Sequence, residues 1–142
     1  LGILGLMLAG TASALPRDEP TVKELKSRIA SAPVGEKAHL CVHIAQMQLT
    51  EADKFYAASD AEKAQAALTD VVAYSELARD YSIQSHKYQK QAEIAVRSMT
   101  RKLNEILHTV GHDDQASVKD AVRRLDHVRD DLLASMFKKG VK

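Results

Sequence analysis

Residues 61–110 read AEKAQAALTD VVAYSELARD YSIQSHKYQK QAEIAVRSMT RKLNEILHTV. The stretch has no glycine or proline and is rich in Ala, Leu, Glu, Lys, Gln and Arg, which lose little side-chain freedom in a helix. Positions 64, 67, 71, 74, 78, 81, 85, 88, 92, 95, 99, 103, 106 and 110 are Ala, Ala, Val, Tyr, Ala, Tyr, Ser, Tyr, Ala, Ala, Met, Leu, Ile and Val. The steps alternate between three and four with one slip near Leu103, a heptad seam carried for about seven repeats. The pattern predicts one long helix over about 60–110, roughly 75 Å in length.

Shorter helical segments flank it. Residues 21–32 place Val22, Leu25 and Ile29 on one face behind a T-x-x-E capping box, Thr21 to Glu24, and Pro33 ends the segment. Residues 35–58 carry Ala38, Cys41, Ala45, Leu49, Ala52 and Phe55 as a single apolar stripe. Ser59 and Glu62 form a second capping box, which predicts Ser59 as the cap of the long helix. Gly111 reads as a left-handed residue closing that helix. A last helix over 114–137 follows, with Val118, Val122, Leu125, Val128, Leu132 and Met136 as its seam. No stretch alternates apolar and polar residues as a strand does. The fold class is therefore all-α, an elongated bundle in which helices 35–58 and 114–137 pack the central heptad helix. The alternative is a break near Asp80, Tyr81 and Ser82, giving a compact four-helix bundle.

The chain has 142 residues, enough for one domain. Residues 1–10 are apolar and uncharged, and Ala12-Ser13-Ala14 is a small-residue cleavage pattern ahead of a polar switch at Arg17. Residues 1–14 are expected to be a signal peptide and 15–142 a single helical-bundle domain, exported to the periplasm or beyond after cleavage following Ala14. An apolar run this short does not make a stable membrane anchor. With 20 Lys and Arg against 19 Asp and Glu, the formal net charge is +1, which points to neither nucleic acid nor an anionic membrane surface. Cys41 is the single cysteine, so the fold holds without an internal disulfide, and its helix-face position suggests burial.

Candidate chemistry is sparse. His39, His43 and Met47 follow one another at four-residue steps, a spacing that places soft donors on one helix face and suits copper or zinc, although the face flanks the apolar stripe. His108 and His112 share that spacing but straddle Gly111. Tyr74, Tyr81 and Tyr88 lie seven apart with Ala78 and Ser85 between them, either a half-wet packing seam or a stripe for another helix. Lys87, Lys90, Arg97 and Arg101 form a basic flank whose expected partners are Asp120, Asp126, Asp130 and Asp131. No phosphate loop, nucleophile elbow or H-E-x-x-H is present, and no catalytic residue, metal site or cofactor is assigned.

The stretches LCVHIAQ at 40–46, ADKFY at 52–56, AQAALTDVVAYS at 64–75 and RLDHVRDDLL at 124–133 resemble small exported all-helical bacterial proteins of unknown function. That resemblance implies an all-helical fold and transfers no activity or site residue. Residues 61–78 are similar to one helix of a tetratricopeptide unit, without a second copy at its period of about 34 residues. The expected role is a non-enzymatic interaction or scaffold protein of the bacterial cell envelope. A homodimer is expected to cover the half-exposed long seam, or another helical envelope protein does so. The alternative is a periplasmic metal or small-ligand binder using His39, His43 and Met47.

Overall fold

A computed structural model describes residues 20–139. The expected signal peptide, 1–14, lies outside the described residues. Five helices and no strands occur among them: α1 (Val22–Ile29), α2 (Val34–Ala57), α3 (Ala61–Ser85), α4 (Gln89–Leu107) and α5 (His112–Lys139). The all-α class read from composition and periodicity is what the chain adopts.

The termini of these helices follow from local chemistry. Thr21 caps α1, its hydroxyl accepting from the Glu24 amide at 3.2 Å. Pro33 stands just before α2, where a missing N–H does no harm. The turn after α2 is a Schellman motif: the Asp60 amide reaches the Phe55 carbonyl at 2.8 Å and the Ser59 amide the Tyr56 carbonyl at 3.0 Å. Ser59 therefore takes the left-handed place, with φ 61°, and does not cap α3. Asp60 does, its carboxylate accepting from the Lys63 amide at 3.2 Å. Gly111 departs from expectation too. Its φ is not positive, α4 has ended at Leu107, and the Gly111 carbonyl instead accepts from Asp114 at 3.0 Å in the entry to α5.

The largest correction concerns the long helix. It stops at Ser85 and restarts at Gln89, with His86 and Tyr88 in the left-handed region at φ 59° and 69°. Neither is glycine, and each such conformation costs about 1–2 kcal/mol. The Lys87 amide is held by the Ser85 hydroxyl at 3.2 Å. The strain is outweighed by burial. Folding back lets Ala92, Val96, Met99, Leu103 and Ile106 reach 0–3% exposure inside the chain, and each large apolar side chain so covered contributes about 2 kcal/mol. A straight helix leaves that half of its seam to water.

The result is two hairpins laid together. The most extensive pairings are α2 with α3 and α4 with α5. Asp53–Lys102 joins α2 to α4, while Glu76–Arg124 and Arg79–Asp131 join α3 to α5. Those pairs set α2 parallel to α4 and α3 parallel to α5, and the four helices enclose one core. Cys41, Ala45 and Leu49 come from α2, Leu68 and Val71 from α3, Val96, Met99 and Leu103 from α4, and Leu125, Val128 and Leu132 from α5. A smaller cluster, Leu25, Leu40 and Ile44, seats α1 on α2. The heptad seam is thus right in register and covered by the same chain, so the half-exposed seam that favoured a second chain is not present in this closed form.

Cys41 is fully buried, and burial pushes its thiol up to about 12 from the usual 9.0. Cys41 is expected to resist a thiol reagent at pH 8 in the folded protein and to react at once in denaturant. The sign of the linkage follows. Below pH 9 the thiol is neutral in both states; from 9 towards 12 only the unfolded chain ionises, so stability falls as pH rises through that window. Rapid modification of the native protein, with no change in its circular dichroism, would contradict this burial.

Candidate functional site

The histidines and Met47 of α2 turn to different neighbours. His39 is about half exposed, lies against the Tyr88 ring with centroids 5.1 Å apart, and has Glu36 at 3.7 Å from its Nδ1. Met47 packs against the Leu25–Leu40–Ile44 cluster under α1. His43 is half-buried between them in sequence. A shared helix face spans a wide arc over eight residues, and α1 and the α3–α4 turn occupy its two edges. Among the described residues no three His, Cys, Asp or Glu side chains stand close enough to hold a metal ion.

The tyrosine stripe faces inward to α1 and α2. Lys26 Nζ sits 5.2 Å from the centre of the Tyr74 ring, and Lys37 Nζ 5.5 Å from that of Tyr81. All three rings pack on the main core. Burial raises the Tyr88 hydroxyl above its usual pKa, and Glu36 adds to the effect. Lys26 also donates to Asp70 at 2.9 Å, and Gln48 donates to the same oxygen at 2.8 Å. The hydrogen bond to Asp70 is the main reason the Lys26 pKa is raised.

Of the basic flank, Arg97 alone is paired among the described residues, and not with an acid of α5. Arg97 forks onto Glu93 of its own helix at 2.9 and 3.1 Å. Glu93 is 6% exposed, with Arg129 Nε 3.8 Å from Oε2, the oxygen that also accepts from Arg97 Nε. Asp131 takes Arg79 at 3.1 Å and lies 3.7 Å from His127, and Asp120 pairs with Arg123. None of these acids serves the flank as expected. One turn along, Gln89 donates to Ser135 at 2.7 Å. Glu93, Gln89 and Arg79 thus form a polar layer at the end of the bundle that holds the α3–α4 turn. Sequence reading passes over it because Glu93 stands beside the seam residue Ala92, where a carboxylate normally faces water.

Shallow open grooves run over the described residues. One of about 200 Å³ runs between α3 and α5, lined by Gln65, Thr69, Ser117, Asp120 and Arg124. Another of about 550 Å³ lies along α1 and α2, lined by Val22, Met47 and Glu51 among others. Among the described residues, Leu77 at 36%, Ile94 at 47% and Phe137 at 72% are the large apolar side chains left in solvent. No helix among the described residues is long and apolar enough to cross a membrane. Neither a family model, nor a curated protein, nor a solved structure matches the chain.

Proposed function

We propose that this chain is a non-enzymatic helical interaction or scaffold protein of the bacterial cell envelope, exported with cleavage after Ala14. Its partner is a second copy of the chain or another helical envelope protein. The observation that carries this is Phe137, whose ring stands 72% exposed on the last turns of α5. Burying such a ring in a partner contributes about 2 kcal/mol. Interface centres favour aromatic anchors of this kind. The polar side chains support the same view, because Arg79, Gln89 and Asp70 bond from one helix to another and Glu93 faces Arg129 of α5. A role for His39, His43 and Met47 in metal binding has less support, since Met47 and His39 pack on different neighbours.

The test is capture from envelope fractions with the exported protein and with its Phe137→Ser variant. A partner held saturably by the first and at least about tenfold more weakly by the second is expected. Equal retention by both, or no saturable partner, would overturn the role assigned to Phe137.

A further inference from the structure

The α3–α4 turn joins two segments that have every local reason to be one helix. Between Ser85 and Gln89 stand His86, Lys87 and Tyr88, with neither glycine nor proline. The turn exists only because His86 and Tyr88 adopt positive φ, at 59° and 69°. The heptad seam runs through it in phase, from Tyr81 and Ser85 to Tyr88 and Ala92. On each side lies a hairpin whose internal pairing is the most extensive in the molecule, α2 with α3 and α4 with α5. Everything that joins the two hairpins is complementary between them: Glu76–Arg124, Arg79–Asp131, Asp53–Lys102 and the shared core. Short strained hinges of this kind favour exchange of identical elements between chains.

We propose that the chain exchanges hairpins with a second copy of itself. In the exchanged dimer residues 61–107 form one continuous helix, and the α2–α3 hairpin of each protomer packs on the α4–α5 hairpin of its partner. The contacts between hairpins away from the turn are kept, now made between chains, while those of Tyr88 with His39 are remade. The left-handed conformations at His86 and Tyr88 disappear from both protomers. Chain concentration sets the balance, because the closed form keeps the entropy of two free molecules and the open form relieves four strained residues. The proposal deepens the part of the functional reading that names a second copy as partner, and it supplies the geometry of that pairing.

Two paired variants test it in the full chain, followed by size exclusion with light scattering after refolding over a range of concentrations. His86→Gly with Tyr88→Gly relieves the closed turn and weakens the continuous helix, so the dimer dissociation constant is expected to rise at least about 100-fold. His86→Ala with Tyr88→Ala keeps the strain and favours the helix, so it is expected to fall about tenfold or more. Spin labels at exposed positions 69 and 104, on a Cys41→Ala background and diluted with unlabelled chain, read the geometry. They are about 52 Å apart along a continuous helix and about 25 Å or less apart in the closed bundle. A monomer at every concentration for both the natural chain and the Ala variant would overturn the proposal. So would a dimer indifferent to the glycines, or one with only the short distance. Phe137-dependent capture of another protein, with no exchanged dimer, would leave the broader interaction role standing. An exchanged dimer without such capture would confine that role to self-association.

Discussion

Replacing Leu125 with alanine is expected to destabilise the fold by about 3 kcal/mol. Leu125 is fully buried in the middle of α5, in the one core that all four long helices share. Removing its isobutyl group forfeits the transfer free energy of the side chain and leaves a cavity that four rigid helices close only in part. The midpoint of thermal unfolding is expected to fall by about 12 °C for a domain of this size. Leu77→Ala is the matched control. Leu77 is 36% exposed and lies outside the core, so its loss is expected to stay below about 1 kcal/mol. Similar shifts for the two leucines in circular-dichroism melts would mean that the four helices do not share the core described.

The second large effect is expected at Glu93. The residue is 6% exposed, and its carboxylate accepts both bonds of the Arg97 fork and faces Arg129. Arg129 Nε is itself buried and has no hydrogen-bond partner. Glu93→Ala removes the carboxylate beside it and leaves a cation at the α4–α5 contact. Stranding a fully buried charge costs about 3–5 kcal/mol; the partly exposed guanidinium groups here reduce that to about 2 kcal/mol. Glu93→Leu combined with Arg129→Leu removes both members and is expected to recover most of the loss, because an apolar pair needs no desolvation. Denaturant unfolding of Glu93→Leu, Arg129→Leu and the double forms a cycle that measures the coupling. Additive effects within about 0.5 kcal/mol would show that the two side chains do not interact.

Much of the architecture is legible in the linear chain. The seam positions Ala64, Ala67, Val71, Ala78, Ala92, Met99, Leu103 and Ile106 are the buried face, and so are Val118, Leu125, Val128 and Leu132. Cys41 lies in the core as its helix-face position suggests. These succeed because a 3.6-residue period and a shortage of breakers are local properties, present before any tertiary contact forms. Helix ends are less legible. Ser59 and Asp60 both have capping side chains, and which one caps depends on the Schellman turn that precedes them. The candidate site is legible least. His39, His43 and Met47 share a spacing, but α1 and the turn at Tyr88 separate their surroundings, and neither neighbour is encoded in that spacing.

Residues 61–107 show where local and global reasons part. The sequence by itself determined that this chain is helical, that its apolar faces run in heptads, and that glycine and proline mark the joints at Pro33 and Gly111. It offered a break near 80–82 only as the alternative, and no breaker residue at 86–88 where the joint lies. Only the tertiary structure decided that the long helix folds in two, because the gain comes from α4 and α5 covering α2 and α3, contacts between residues far apart in the chain. Two left-handed residues cost about 1–2 kcal/mol each, whereas covering Val96, Met99, Leu103 and Ile106 contributes several times that amount. Burial therefore overrides helix propensity at His86 and Tyr88. The strain that remains there is what makes the same sequence able to pair with itself.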